Sequence, residues 1–87
     1  MNINKLCETL NNILEKREED FVDKLNYELA CMFEQGYNLY FNRQIYIDCD
    51  FDDDAMHDLV IKTNKCKFVP SNDPDEHPGV VVHYKNE

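Results

Sequence analysis

Glycine occurs only at positions 36 and 79, proline only at 70, 74 and 78, and serine only at 71. With so little glycine there is no phosphate-cradling loop. Ser71, Thr9 and Thr63 have no base at a telling spacing, so no nucleophilic constellation can be assembled from them. No apolar run approaches the roughly 18 residues a membrane span needs. Lys5 and Glu8 interrupt the start of the chain too early for a secretory signal, so the expected location is cytoplasmic.

Basic residues are also scarce. Eighteen acids face nine lysines and arginines, a net charge of −9 at pH 7, with eight acids against four bases in residues 1–36 and ten against five in 37–87. The acidity belongs to the whole chain rather than to a tail. Phosphate backbones and anionic lipid repel such a chain, so neither direct nucleic-acid binding nor membrane binding is expected, and a basic protein surface is the natural partner.

Cysteines 7, 31, 49 and 66 form no C-x-x-C pair. In a reducing compartment they read as buried small apolar residues. A hairpin of residues 3–35 centred near residue 19 would set Cys7 opposite Cys31, where a disulfide could form.

The longest organised stretch is Ile3 to Gln35, free of glycine and proline and closed by Gly36. Ile3, Leu6, Cys7, Leu10, Ile13 and Leu14, then Phe21, Val22, Leu25, Leu29, Met32 and Phe33, carry the spacing of an amphipathic helix. Asn2 or Asn4 supplies an N-cap, and Gly36 a left-handed C-terminal cap. One straight rod would run roughly 50 Å, longer than the diameter of about 30 Å expected for a globule of this size. The six consecutive charges Glu15 to Asp20 mark the weak point. Either the helix kinks or breaks there, with Asp20 capping a second helix, or it continues and a second subunit buries the overhang.

After Gly36 the period becomes two. Leu39 and Phe41, then Ile45, Ile47, Cys49 and Phe51, alternate with polar positions, and Asn42 to Gln44 form the turn of a hairpin. Residues 58–70 read as a second hairpin, 70–78 as a proline-rich loop, and Val80 to Tyr84 as a strand. The expected inward residues are Leu39, Phe41, Ile45, Ile47, Cys49, Leu59, Ile61, Cys66, Phe68, Val80, Val82 and Tyr84. The expected fold is therefore one α+β domain spanning 1–87. A long, kinked or broken N-terminal helix (1–36) packs on an antiparallel sheet of about four strands (37–87).

Asp48, Asp50 and Asp52 begin like a calcium loop, but Asp53 stands where glycine belongs and Leu59 where a bidentate glutamate belongs. The spacings of the cysteines with His57, His77 and His83 match no zinc site. No metal, cofactor or catalytic role is expected. On a strand the three aspartates would form an anionic row, about 6.7 Å per step, comparable with phosphates along a nucleic acid. Pairing with Lys62, Lys67 and Lys85 is the ordinary alternative. Tyr40 and Tyr46 fall on the polar side of their strands, and tyrosine among acids suits a contact surface.

The candidate partner-binding residues are Tyr40, Tyr46, Asp48, Asp50, Asp52, Asp53, Asp54, Asp73, Asp75 and Glu76. The expected function is that of a small acidic inhibitor or decoy occupying the basic groove of a nuclease or another nucleic-acid-processing enzyme. In physical profile the chain is similar to phage inhibitors of restriction or CRISPR nucleases and to toxin-immunity proteins, a likeness carried by no motif. The alternative is a structural or adaptor protein that forms a homodimer or larger homo-oligomer through the long helix.

Overall fold

The computed structural model describes residues 2–41, 44–47, 66–71 and 73–84. Two helices, α1 (Ile3–Lys16) and α2 (Phe21–Glu34), precede four strands: β1 (Asn38–Phe41), β2 (Gln44–Tyr46), β3 (Cys66–Pro70) and β4 (Gly79–Tyr84).

The long apolar stretch is thus two helices of 14 residues each. Asn2 opens α1, its side-chain oxygen accepting the Asn4 N–H at 2.9 Å. Leu6, Cys7, Leu10 and Leu14 turn inward. The charged run breaks the rod at Arg17, which adopts the left-handed conformation (φ 43°, ψ 49°) and so reverses the chain without glycine or proline. That conformation costs a side-chain-bearing residue about 1–2 kcal/mol. The Arg17 guanidinium lies over the Phe21 ring, 5.6 Å from its centroid, a favourable contact within the same turn.

Asp20 occupies the N-cap of α2 but makes no side-chain cap bond. It lies 3.5 Å from Lys24, which also meets Glu18 at 2.8 Å. The hydrogen bond with Lys24 lowers the Glu18 pKa and raises that of Lys24. All three side chains are exposed, so these pairs add little stability.

At its C-terminus α2 closes on Gly36 (φ 86°), with Gly36 N–H donating to the Phe33 carbonyl (2.9 Å) and Tyr37 N–H to the Met32 carbonyl (3.2 Å). This paired arrangement is the Schellman closure, for which a residue without Cβ is the usual choice. The helix pair fits a body of 34 × 27 × 23 Å with a radius of gyration of 11.9 Å. The overhang that would have called for a second subunit does not exist.

The sheet order is β2-β1-β4-β3. β1–β2 and β3–β4 are antiparallel, but β1 and β4 run parallel, so the sheet is mixed rather than antiparallel as its sequence suggested. β4 is an interior strand, with Val80 and Val82 buried on the helix side and Val81, on the opposite face, half-buried. Gly79 permits the parallel pairing, since a Cβ there would stand 2.1 Å from the Asn38 carbonyl oxygen.

The helices cover one sheet face, where Leu39, Phe68, Val80 and Val82 join Leu6, Cys7, Leu10, Leu14, Leu25, Leu29 and Met32 in a single core. Phe41, Tyr46 and Cys66 pack at its margin. Ile45 and Ile47 were expected inward but are 60% and 52% exposed. The reason is register: Phe41 pairs with Gln44, so two residues separate the strands instead of three. A one-residue slip sends every side chain to the other face. Tyr46 therefore lies on the helix side and Ile45 opposite it. Of the other residues expected inward, Cys49, Leu59, Ile61 and the side chain of Tyr84 lie outside the described residues, as does the first strand of the second hairpin.

Among the described residues β3 lies at an edge of the sheet, and a side chain of α1 reaches it. Asn11 of α1 donates to the Phe68 carbonyl and accepts the Phe68 N–H, both at 2.8 Å, imitating the backbone of a neighbouring strand. An open edge invites pairing with another chain, and this amide closes it at its centre.

Three substitutions test this architecture. Asn11→Ala should lower the unfolding free energy by about 1–3 kcal/mol by orphaning two part-buried backbone groups. Asn12→Ala, at an exposed neighbour, should cost no more than about 0.5 kcal/mol. Equal effects in urea unfolding would contradict the edge contact. Gly79→Ala should destabilise the fold by at least about 1–3 kcal/mol through overpacking, and an unchanged thermal midpoint would contradict the close approach of β1 and β4.

Candidate interaction surface

The sheet face away from the helices carries Ile45, Tyr40, Val81 and Val69 in register across all four strands. Beside it runs the segment from Ser71 to Pro78. Asp73, followed by Pro74, starts a turn in which its carboxylate accepts the Asp75 N–H (2.9 Å) and its carbonyl accepts the Glu76 N–H (3.1 Å). Aspartate at the first position and proline at the second are what such a turn favours. Ser71 donates its N–H to the Gly79 carbonyl (3.0 Å) and its hydroxyl to the Glu76 carboxylate.

Three further contacts tie this segment to the start of β1. The Tyr40 hydroxyl donates to the His77 carbonyl at 2.6 Å. The His77 Nε2–H donates to the Gly36 carbonyl at 2.5 Å. The Asn38 N–H donates to the Pro78 carbonyl at 3.2 Å. Asn38 also reaches the Tyr40 hydroxyl with its side-chain amide at 3.4 Å. The Tyr40 ring is therefore held at its far end.

Between the sheet face and this segment lies an open cleft of about 460 Å³, lined by Tyr40, Ile45, Val81, Asp75, Glu76 and His77 among others. Its floor is aliphatic and aromatic, and its rim carries two carboxylates. Asp75, exposed, has no side-chain partner among the described residues. The arrangement offers buried area and negative charge side by side.

Three of the ten residues singled out from the sequence meet here: Tyr40, Asp75 and Glu76. Asp73 shapes the adjoining turn without lining the cleft. Tyr46 does not join them; it is half-buried against the core on the opposite face, its hydroxyl donating to Gln44 at 2.7 Å. Asp48, Asp50, Asp52, Asp53 and Asp54, and with them the aspartate row and the calcium-loop comparison, lie outside the described residues. Lys67, one of the lysines proposed to answer the row, is exposed and stands in register with His83. Ile45, Val81 and His77 were not recognised as surface candidates from the sequence. Moving the β1–β2 turn by one residue would have brought Ile45 into view.

Beyond the cleft, burial raises the Cys7 thiol pKa to about 11, so it stays protonated at neutral pH and is a poor nucleophile. Cys7, Cys31 and Cys66 are not joined in disulfides. Among the described residues, no group of three or more His, Cys, Asp or Glu could hold a metal ion, and no helix is long and apolar enough to cross a membrane. No protein-family model, no curated protein and no solved structure matches this chain.

Proposed function

We propose that this chain is a non-catalytic acidic binding protein that occupies a basic groove on a nucleic-acid-processing enzyme and keeps nucleic acid out of it. The observation that carries the reading is the state of its carboxylates. Among the described residues the ion pairs join Lys24 to Glu18 and Asp20, while Glu8, Glu15, Glu19, Asp23, Glu34 and Asp75 are held by none. These side chains are exposed, on a chain of net charge −9.

The same excess that repels phosphate would draw the protein onto a phosphate-binding surface. Charge steers the encounter over distances of about a Debye length, near 10 Å at 0.1 M salt. Contact at an apolar patch beside the acids then slows departure, since charge mainly sets the on-rate and register. Inhibition would follow from occupation of the groove, with no bond made or broken.

Affinity capture from a lysate of the source organism at about 0.05 M and 0.5 M salt tests this reading. The expected partner is a basic nucleic-acid-binding protein, released at the higher salt and displaced by duplex DNA or RNA. Asp75→Lys with Glu76→Lys should slow association on the order of tenfold. A salt-insensitive partner, or one that still binds nucleic acid while captured, would contradict it.

A further inference from the structure

We infer that the cleft beside β1 and β4 receives an arginine side chain of the partner protein. The inference rests on the reading above, that the partner is basic, and it identifies the group that would be recognised.

The occupant must satisfy two surfaces at once. The floor is apolar: Ile45 is 60% exposed, Val81 lies in the next row, and the Tyr40 ring stands between them. Covering Ile45 would take its apolar surface out of water, a favourable step for any guest that can reach it. The rim, formed by Asp75 and Glu76, is anionic. A purely aliphatic group would leave the carboxylates unanswered, and a small cation would leave the floor bare. A second copy of this chain brings net charge −9 to an acidic rim, which disfavours self-association. A side chain with an apolar stem and a cationic head matches both surfaces.

Arginine fits better than lysine. Its planar, weakly hydrated guanidinium can lie against a tyrosine ring and present paired donors to a carboxylate, whereas an ammonium is a strongly hydrated point charge. The Tyr40 hydroxyl is already spent on the His77 carbonyl, so the residue offers a guest its ring. Because that bond and the Asn38 amide hold the ring, little side-chain freedom remains to be lost on binding. The turn at Asp73 and the contacts of Ser71 and His77 fix the rim in the same way.

The test is a ¹⁵N NMR titration of the full chain with the capped tripeptide acetyl-Gly-Arg-Gly-amide, and with its lysine and citrulline counterparts. Citrulline keeps the shape of arginine and removes the charge. The arginine peptide should give saturable shifts confined to Tyr40, Ile45, Asp75, Glu76, His77 and Val81, with a Kd on the order of millimolar. Lysine should bind about threefold or more weakly, and citrulline not measurably.

Asp75→Asn with Glu76→Gln should abolish the arginine response, and glutamine still offers Ser71 an acceptor. The comparison of the three peptides on the unaltered protein does not depend on how that variant folds. Equal response to arginine and citrulline, shifts spread equally over the helix acids Glu15 and Asp23, or no saturable shift would overturn the inference. Loss of the peptide response with salt-sensitive capture intact removes the cleft and leaves the charge reading standing. A peptide response that survives while capture fails does the reverse.

Discussion

The rest of the molecule depends on how closely β4 approaches β1 at Gly79. Because that residue has no Cβ, the Asn38 carbonyl can sit where a side chain would otherwise be, only 2.1 Å from the ideal Cβ position. The approach sets a parallel register, Leu39 beside Val80 and Tyr40 beside Val81. It places the most apolar strand in the interior of the sheet. It also delivers Pro78 and His77 to the start of β1, so the acidic segment lies against the sheet instead of extending from its end. Core, sheet order and cleft follow from this one contact.

The helices complete the fold with modest means. An 87-residue chain has little core to spare, and each fully buried leucine or methionine contributes about 1.5–3 kcal/mol. Among the described residues, α1 and α2 supply seven of the eleven buried core residues. They can do so from one side of the sheet because Arg17 turns the chain back within four residues. Asn11 then joins α1 to the edge of β3 through a side-chain amide. The same contact that fixes the helix also closes that edge at Phe68, where an open strand would invite pairing with another chain.

Much of this was legible in the sequence. The amphipathic spacing of residues 3–14 and 21–33, the run of charge between them, Asn2, Gly36 and the proline-rich segment all act through local physics, and each appears where that physics puts it. The parallel pairing was not legible, because it joins residues about forty positions apart through one absent methyl group. The faces of β2 were misread because period two cannot tell inward from outward once the turn is off by one residue. Asn11 was missed for a different reason. On a helix it reads as an ordinary polar position, and only the arrival of Phe68 reveals its purpose. Of the candidate surface, the sequence located Tyr40 and the acids of the 71–78 segment, but not the exposed Ile45 that gives them an apolar floor.

A surface that is anionic at its rim and apolar at its base needs a rigid support, or neither part would be held ready for a partner. That support is the parallel β1–β4 pair with the 71–78 segment fastened across its end. Interstrand nuclear Overhauser effects in the full chain test it most directly. The account predicts parallel-type backbone contacts linking Leu39 and Tyr40 to Val80 and Val81, with contacts from the Tyr40 ring to the backbone of His77. An antiparallel pattern between β1 and β4, or no contact from Tyr40 to the 71–78 segment, would contradict it.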